Sequence, residues 1–362
     1  MKNKILMPYS THFDAKVDYS HGKVITGGIE KFCFDLETNF EEIIPLCISK
    51  KDKENRNTKS IIQDAINKHN PDFILFHNPW WSKMMMSFNV RLICVIHEPL
   101  VRDIRMVELG TLLKKLQENH CHLYFVSPAQ LQYHRDMAKR IKKVDFGEIK
   151  GFIRPSFLQE NLQLSDELIY DCVTVGRSDN EKAPFLVHEK LKDSPVVSLV
   201  MTNEGVYKSD AINLYQEKNK QWKYPRETFR GLSHSEVMTN ISKAKVFIST
   251  WDKESWGITA MEALGCGVPT ILFTDESGNH ASEIVAQSPD HIFKISRKCS
   301  SSEFEELVVS IINTHDTEKR KEISKKTIQK HGIESWKQHI QDIFDERMND
   351  TNGRNSLEHL FD

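Results

Sequence analysis

Two glutamates and a glycine in the stretch Trp251–Pro269 have the types and spacing of residues that bind a phosphorylated sugar. Glu254 and Glu262 lie eight positions apart, with Gly257 between them. Carboxylates only accept hydrogen bonds, so they suit sugar hydroxyls rather than phosphate. Gly257 stands at the predicted start of a short helix, whose free N–H groups and positive dipole end attract phosphate. A diphosphate beside a polyol is the chemistry of a nucleotide-sugar.

Two predicted strands must position this stretch. The apolar run Ala244–Ser249 precedes it, and the run Val268–Phe273 follows the helix. Gly265 and Gly267 end the helix, and Pro269 prevents its continuation. In a parallel sheet, such a strand–loop–helix–strand unit brings the helix N-terminus and both carboxylates to the carboxyl edge, where ligands bind. The alternative is an ordinary αβ unit with glutamates on its surface.

Two cations follow another predicted strand. Arg177 comes directly after Tyr170–Gly176, and Lys182 follows five residues later. Arginine binds phosphate as a fork and lysine as a point charge, so the pair suits a diphosphate. An Arg/Lys pair near a turn is also common on ordinary protein surfaces.

The N-terminal part carries a weaker signal of the same kind. After the predicted strand Lys4–Met7 and a polar loop, Gly27 and Gly28 open a helical pattern. A strand, a glycine-bearing loop and a helix can hold a phosphate or a sugar, although two glycines more often form only a turn. The spacing matches neither the dinucleotide-binding fingerprint nor a P-loop.

Histidines end two predicted strands in the same part of the chain. His77 ends the run Phe73–His77, and His97 ends the run Arg91–His97. Because parallel sheets bind ligands at the carboxyl ends of their strands, both histidines are candidates for a site. A hydrogen bond to local backbone is the alternative for each.

Strands and helices alternate along the chain, which predicts α/β domains with doubly wound parallel sheets. The alternation restarts after Gly151–Phe157, whose glycine and proline are typical of a linker. We therefore expect domains at 1–155 and 156–333. The amphipathic segment Glu334–Met348 begins a C-terminal portion at 334–362.

Composition excludes several classes of protein. The 362 residues are 39% hydrophobic and 28% charged with a net charge of −2, so bulk charge indicates neither a nucleic-acid nor a membrane partner. Seven scattered cysteines without a C-x-x-C pair indicate reduced thiols and a cytoplasmic location, not a disulfide framework or a zinc site. We expect no signal peptide and no transmembrane segment.

A local excess of positive charge stands out against this neutral background. Between Arg135 and Arg154 there are seven basic residues and three acids. Such a run is usually a solvated face, but it could contact a polyanion or a lipid surface. The candidate contacts are Arg135, Lys139, Arg140, Lys142 and Lys143.

The glutamate pair also carries a family resemblance. Glu254, seven residues, Glu262, Ala263 and a Gly-x-Pro turn at Gly267–Pro269 together resemble the E-x7-E signature of retaining GT-B glycosyltransferases of the family 4 type. The resemblance implies two Rossmann-like domains facing a cleft, with a C-terminal helix that returns to the N-terminal domain. It implies transfer of a hexose or pentose from an NDP-sugar held on the C-terminal side to an acceptor on the N-terminal side.

The same resemblance implies roles for individual residues. The implied catalytic residues are Glu254, Arg177, Lys182 and His97, and the implied sugar-donor contacts are Gly27, Gly28, Gly176, Gly257, Ile258, Thr259 and Glu262. The family usually has glycine where this chain has Ala183. Because no Asp-x-Asp pair occurs to hold a divalent ion, we expect no metal and no cofactor beyond an NDP-sugar co-substrate, with a UDP-sugar favoured.

The acceptor is left open among three classes. A fainter resemblance of the whole chain to phage enzymes that glycosylate hydroxymethylcytosine in DNA favours double-stranded DNA, reached by base flipping in the host cytoplasm. A bacterial polysaccharide or glycolipid is the alternative, with contact to a membrane surface less favoured. A non-catalytic nucleotide-sugar-binding protein is the third class.

Overall fold

The computed structural model describes most of the chain. The residues outside the description are 1–3, 11–27, 50–56, 78, 98–102, 142–150, 155–161, 163, 179–181, 204–210, 225, 252–253, 255, 275–289 and 349–362. The described residues fall into two units. Unit 1 contains residues 4–154 and 334–348, and unit 2 contains residues 162–333.

Unit 1 is built on a parallel sheet whose strands are nearly continuous apolar runs. The strands are β1 (Ile5–Ser10), β2 (Ile43–Ile48), β3 (Phe73–Phe76), β4 (Arg91–Ile96), β5 (His122–Phe125) and β6 (Gly151–Phe152), in the sheet order β2-β1-β3-β4-β5-β6. The helices of this part are α1 (Gly28–Asn39), α2 (Thr58–His69), α3 (Ser82–Met85), α4 (Asp103–Glu118) and α5 (Pro128–Ile141). All residues of β3 and all of β4 except Arg91 are buried, as expected for a sheet covered by helices on both faces.

Unit 2 repeats this plan with a second parallel sheet. Its strands are β7 (Tyr170–Arg177), β8 (Ser198–Asn203), β9 (Glu227–Arg230), β10 (Ala244–Ser249), β11 (Thr270–Thr274) and β12 (Ile292–Ser296), in the order β12-β11-β10-β7-β8-β9. Its helices are α6 (Phe185–Lys190), α7 (Ala211–Asn219), α8 (His234–Ser242), α9 (Ile258–Gly265), α10 (Ser301–Thr314) and α11 (Thr317–His331). The strand order reverses between β7 and β10, and such a switch point is where doubly wound sheets bind ligands.

The last helix, α12 (Ile333–Met348), packs in unit 1. Trp336 is fully buried there, its ring centroid is 5.6 Å from that of Phe40, and its indole N–H donates to the carbonyl oxygen of Arg154 at 3.0 Å. Phe344 also packs edge-on against Phe40, with 5.7 Å between the ring centroids. The prediction that the final helix returns to the N-terminal part of the chain is confirmed.

The interpretation of Gly151–Phe157 as a linker is wrong at its beginning. Gly151 and Phe152 form β6, which pairs with β5 through Tyr124 and Phe125. A Cβ on Gly151 would lie 2.1 Å from Cε1 of Tyr124, so glycine is needed there for the strand to pass the tyrosine ring. The sequence also predicts a short helix at residues 281–286, after a polar, glycine-bearing turn, and these residues lie outside the described part of the chain. No helix in the described part of the chain is both long and apolar enough to cross a membrane.

Candidate functional site

The carboxyl ends of β7 and β10 form the centre of the candidate site in unit 2. These two strands are parallel neighbours at the switch point, with Val246 paired to Cys172 and Phe247 paired to Val173. Arg177 is the last residue of β7 and is exposed to solvent. The loop that follows β10 carries Glu254, so the predicted cation and carboxylate segments leave the sheet at adjacent positions.

Lys182 lies close to the end of β7, and contacts with the ends of β7 and β10 hold it there. A Cβ on Gly176 would lie 3.2 Å from Cβ of Lys182, a tight contact that glycine relieves. The hydroxyl of Thr250, directly after β10, donates to the carbonyl oxygen of Lys182. Ala183 has a φ of +39°, in the left-handed region that favours glycine. Glycine would adopt this turn without steric strain, whereas in this chain alanine occupies it.

Within the described part of the chain, the ammonium group of Lys182 contacts a carboxylate and an aromatic ring. It contacts Oε2 of Glu254, and it lies 3.9 Å from the centroid of the Trp251 ring. The side chains of Lys182 and Glu254 are 21% and 24% exposed, so the pair is only partly screened by water. A cation over an indole face is attracted by the ring quadrupole. Sequence reasoning missed Trp251, because nothing in the local pattern shows that Lys182 lies over its ring.

Helix α9 begins at this edge of the sheet as predicted. Gly257 is its N-cap, with φ 81° and ψ 51°, a left-handed conformation that makes glycine the suitable residue. Among the described residues no side chain caps the helix, and its first turn contains no acid, so its first N–H groups suit an anion. Ile258 and Thr259, the first two residues of α9, are half-buried.

Glu262 lies on the second turn of α9 and is buried. Its Oε1 accepts a hydrogen bond from Nε2 of His234 at 2.8 Å. His234 is the first residue of α8, whose N-terminus is already capped by the reciprocal bonds of Ser233 and Glu236. Sequence reasoning missed His234, because its spacing from Glu262 follows no local period. Only the packing of α8 beside α9 brings the two residues together.

The C-terminal end of α9 is fixed by α11. Gly267 has a φ of +70°, and a Cβ there would lie 2.4 Å from the carbonyl oxygen of Arg320. The guanidinium of Arg320 donates to the carbonyl oxygens of Gly267 and Ser242 at 3.3 and 3.0 Å. The hydroxyl of Ser324 donates to the carbonyl oxygen of Gly265 at 2.6 Å. These contacts set the direction in which α9 presents Gly257 and Glu262.

In unit 1 the two strand-end histidines contact each other. Nδ1 of His77 and Nε2 of His97 are 3.0 Å apart, and the ring of Phe32 packs against both imidazoles. The imidazole of His77 thus pairs with another side chain, and not with local backbone as in the alternative interpretation. His77 Nε2 is buried and has no hydrogen-bond partner within the described part of the chain.

Burial changes the titration of this histidine pair. Desolvation lowers the pKa of His97 to about 3, and it lowers the pKa of His77 well below its ordinary value, with a smaller contribution from the charge of His97. Both rings are therefore neutral at pH 7, and one donates to the other. Such a pair can hydrogen-bond a ligand but is a weak base.

The remaining predicted residues fall in unit 1 or outside the description. Gly28 begins α1, whereas Gly27 lies outside the described residues. Arg135 is exposed on α5, and Lys139 and Arg140 lie in the last turns of the same helix. Lys142 and Lys143 are predictions that fall outside the described residues.

The match to a known protein family lies within the part of the sequence that forms unit 2. Residues 163–330 match the family model described as Glycosyl transferases group 1. This match covers nearly all of unit 2 and less than half of the chain. No curated protein sequence matches the chain significantly.

Solved structures with the same architecture extend over both units. HepE from Anabaena, solved with UDP and glucose, has a TM-score of 0.70 at 12% identity, with 95% of this chain and 100% of that chain covered. Sucrose-phosphate synthase from Thermosynechococcus elongatus has a TM-score of 0.69 at 12% identity, with coverage of 96% and 99%. TarM of S. aureus has a TM-score of 0.61 at 14% identity, and the chain spans only 58% of its length. The fold is GT-B, with two Rossmann-like units.

Proposed function

We propose that this protein is a glycosyltransferase that transfers a sugar from an NDP-sugar with retention of the anomeric configuration. The observation that carries the proposal is the contact of Lys182 with Glu254 at the switch point of unit 2, beside Gly257 at the start of α9. The family match of residues 163–330 supports the same chemistry, as does the architecture shared with HepE, which was solved with UDP and glucose.

Each group at the site suits one part of the sugar donor. Arg177 and Lys182 bind the diphosphate together with the first N–H groups of α9, near Ile258 and Thr259. Glu254 accepts from hydroxyls of the transferred sugar. Glu262 accepts from the ribose hydroxyls, which explains why a carboxylate is buried on the second turn of α9.

The reaction follows from this arrangement of charges. The bond between the anomeric carbon and the diphosphate oxygen breaks, and its electron pair leaves with the diphosphate. The hydroxyl oxygen of the acceptor attacks from the same face, and a diphosphate oxygen takes its proton. Arg177, Lys182 and the N-terminus of α9 stabilise the departing charge in place of a metal ion, an electrostatic effect worth several kcal/mol when the groups are preorganised. His97 contributes as a neutral hydrogen-bonding group.

For the nucleotide we propose a uridine diphosphate. Its support is the UDP bound in the HepE structures. The carboxylate of Glu262 suits the ribose hydroxyls of any ribonucleotide and does not select the base. A panel of UDP-, GDP-, ADP- and dTDP-sugars, with release of the nucleoside diphosphate as the readout, tests this directly.

For the acceptor we propose duplex DNA that contains hydroxymethylcytosine. Its support is the basic run from Arg135 onward, of which Arg135 is exposed on α5 with Lys139 four residues later. A polysaccharide or glycolipid is the alternative class. Binding to hydroxymethylated duplex DNA that weakens steeply as salt rises would support the first acceptor, because phosphate contacts release counterions. Sedimentation with anionic liposomes and no binding to DNA would support the second.

One experiment separates a transferase from a nucleotide-sugar-binding protein. Purified protein is incubated with each NDP-sugar, with and without hydroxymethylated DNA, and release of the nucleoside diphosphate is followed. A transferase releases it in proportion to glycosylated acceptor, whereas a binding protein releases none above the uncatalysed rate. The anomeric configuration of the product, determined by NMR, decides whether transfer occurs with retention.

A further inference from the structure

The contact between His234 and Glu262 has no role in the mechanism described above. His234 is the first residue of α8, and its Nε2 lies 2.8 Å from Oε1 of Glu262 on α9. The exposed fraction of the histidine side chain is 36% and that of the glutamate is 8%. A solvent-accessible side chain thus reaches inward to a buried carboxylate that sits five residues beyond the N-cap of α9.

The chemistry of a carboxylate assigns donor and acceptor in this contact. A carboxylate is an acceptor only, so Nε2–H of His234 is the donor of the hydrogen bond and Oε1 of Glu262 is its acceptor. The hydrogen bond engages Oε1 and restrains rotation of the carboxylate about its terminal bond. Oε2 then remains the acceptor for a ligand hydroxyl in one fixed orientation. A hydrogen bond that already restrains a binding group lowers the conformational entropy that the group loses when the ligand binds.

We infer that His234 is a positioning residue for Glu262 and makes the site selective for nucleotides with ribose hydroxyls. This inference rests on the proposed function, in which Glu262 binds the ribose. It adds the residue that orients the carboxylate, and it names the substrate feature that this orientation recognises.

Stability alone does not account for the contact. Helix α8 has a complete capping box of its own from Ser233 and Glu236, so its N-terminus does not depend on the bond to Glu262. The C-terminal end of α9 is held separately by Arg320 and Ser324 of α11. Orientation of the carboxylate is what the histidine adds.

The test compares uridine diphosphate with its dideoxy analogue, which lacks both ribose hydroxyls. Dissociation constants are measured by calorimetry for the wild type, His234→Ala and His234→Gln. Glutamine places an N–H donor at a similar reach, so it serves as the conservative variant. His315→Ala is the matched control, because His315 also lies at a helix end of unit 2 but contacts backbone carbonyl oxygens.

We expect the wild type to prefer uridine diphosphate by at least about 10-fold, the scale of one hydrogen bond to a charged group. His234→Ala should weaken the binding of uridine diphosphate about 5- to 10-fold and leave the binding of the dideoxy analogue unchanged, so that the preference nearly disappears. His234→Gln and His315→Ala should keep the preference. In turnover, His234→Ala should raise KM for the sugar donor and leave kcat within about 2-fold.

Two results would overturn the inference, and a third distinguishes it from the proposed function. If His234→Ala leaves the preference unchanged, whether or not both ligands bind more weakly, the histidine does not act through ribose recognition. Loss of the preference in His234→Gln as severe as in His234→Ala would show that donation to Glu262 is not its role. If the wild type binds no nucleoside diphosphate, the proposed function fails together with this inference.

Discussion

The substitution Lys182→Met separates the function of the site from its contribution to stability. Methionine keeps an unbranched side chain of similar length and removes the ammonium that contacts Glu254 and lies 3.9 Å from the Trp251 ring centroid. Because both side chains of the ion pair are more than a fifth exposed, losing the pair and the cation–π contact should lower the free energy of unfolding by only about 1 kcal/mol.

The expected effect on catalysis is larger. A unit charge about 4 Å from the developing charge of the leaving group interacts by roughly 4 kcal/mol at most, at an effective dielectric constant near 20. Removal of one preorganised donor from an enzyme site costs about 2.7–4 kcal/mol of transition-state stabilisation. We therefore expect kcat to fall about 100- to 1,000-fold, with a shift of only a few degrees in Tm.

The chain offers a matched control at the opposite end of the same two strands. Nζ of Lys245 on β10 is 2.7 Å from Oδ1 of Asp171 on β7, and this pair is also partly buried. Lys245→Met should cost about as much stability as Lys182→Met and leave kcat unchanged. Initial rates at saturating sugar donor and thermal unfolding curves are measured for both variants. A fall in kcat of less than about 3-fold for Lys182→Met, or equal falls for both variants, would refute the assignment of Lys182 to the leaving group.

Three further predictions test other features of the site. Ala183→Gly should raise Tm slightly. The change relieves left-handed strain of about 1 kcal/mol at φ +39°, and this gain should exceed the cost of the extra conformational entropy that glycine gives the unfolded chain. A lowered Tm would contradict this. His97→Asn should reduce the loss of stability on acidification. In the wild type the unfolded His97 ring takes up a proton near its ordinary pKa of 6.5, whereas the folded ring does so only at a pKa of about 3. The free energy of unfolding therefore falls as the pH drops below 6.5, and His97 alone accounts for a loss of about 2 kcal/mol at pH 5. Parallel pH series of Tm check this, and identical slopes for variant and wild type would exclude it. Sugar transfer should continue undiminished in excess EDTA, whereas loss of turnover that manganese restores would show that a divalent ion is required.

Local sequence patterns were sufficient to predict much of the fold. The strands Ile43–Ile48 and Ala244–Ser249 are bounded by the residues that the apolar runs predicted. Most of Ala244–Ser249 is buried, as expected for an apolar strand inside a sheet covered on both faces. The GT-B architecture is confirmed by both sheets. Gly151 misled the interpretation, because a glycine that lets a strand pass Tyr124 and a glycine in a linker are identical in sequence.

The site was predictable only where its residues follow one another along the chain. Gly257 and Glu262 belong to one helix, so their relation follows from helical geometry. The partners Trp251 and His234 depend instead on which elements are neighbours in space. Lys182 and Glu254 are 72 positions apart, and they meet because β7 and β10 are adjacent at the switch point. No pattern within either segment contains that information.

The buried histidine pair bears on where the proton of the acceptor goes. A catalytic base works best when its pKa lies near the working pH, and burial holds the pKa of His97 at about 3, roughly four units below neutrality. A carboxylate beside His97 would raise the basicity of its ring. The group that contacts Nε2 of His97 is the neutral imidazole of His77, which has no such effect. Under the proposed function the stronger base is the departing diphosphate, whose charge Arg177 and Lys182 stabilise. Proton transfer to the leaving group requires attack from the face that the leaving group occupies, and attack from that face retains the anomeric configuration.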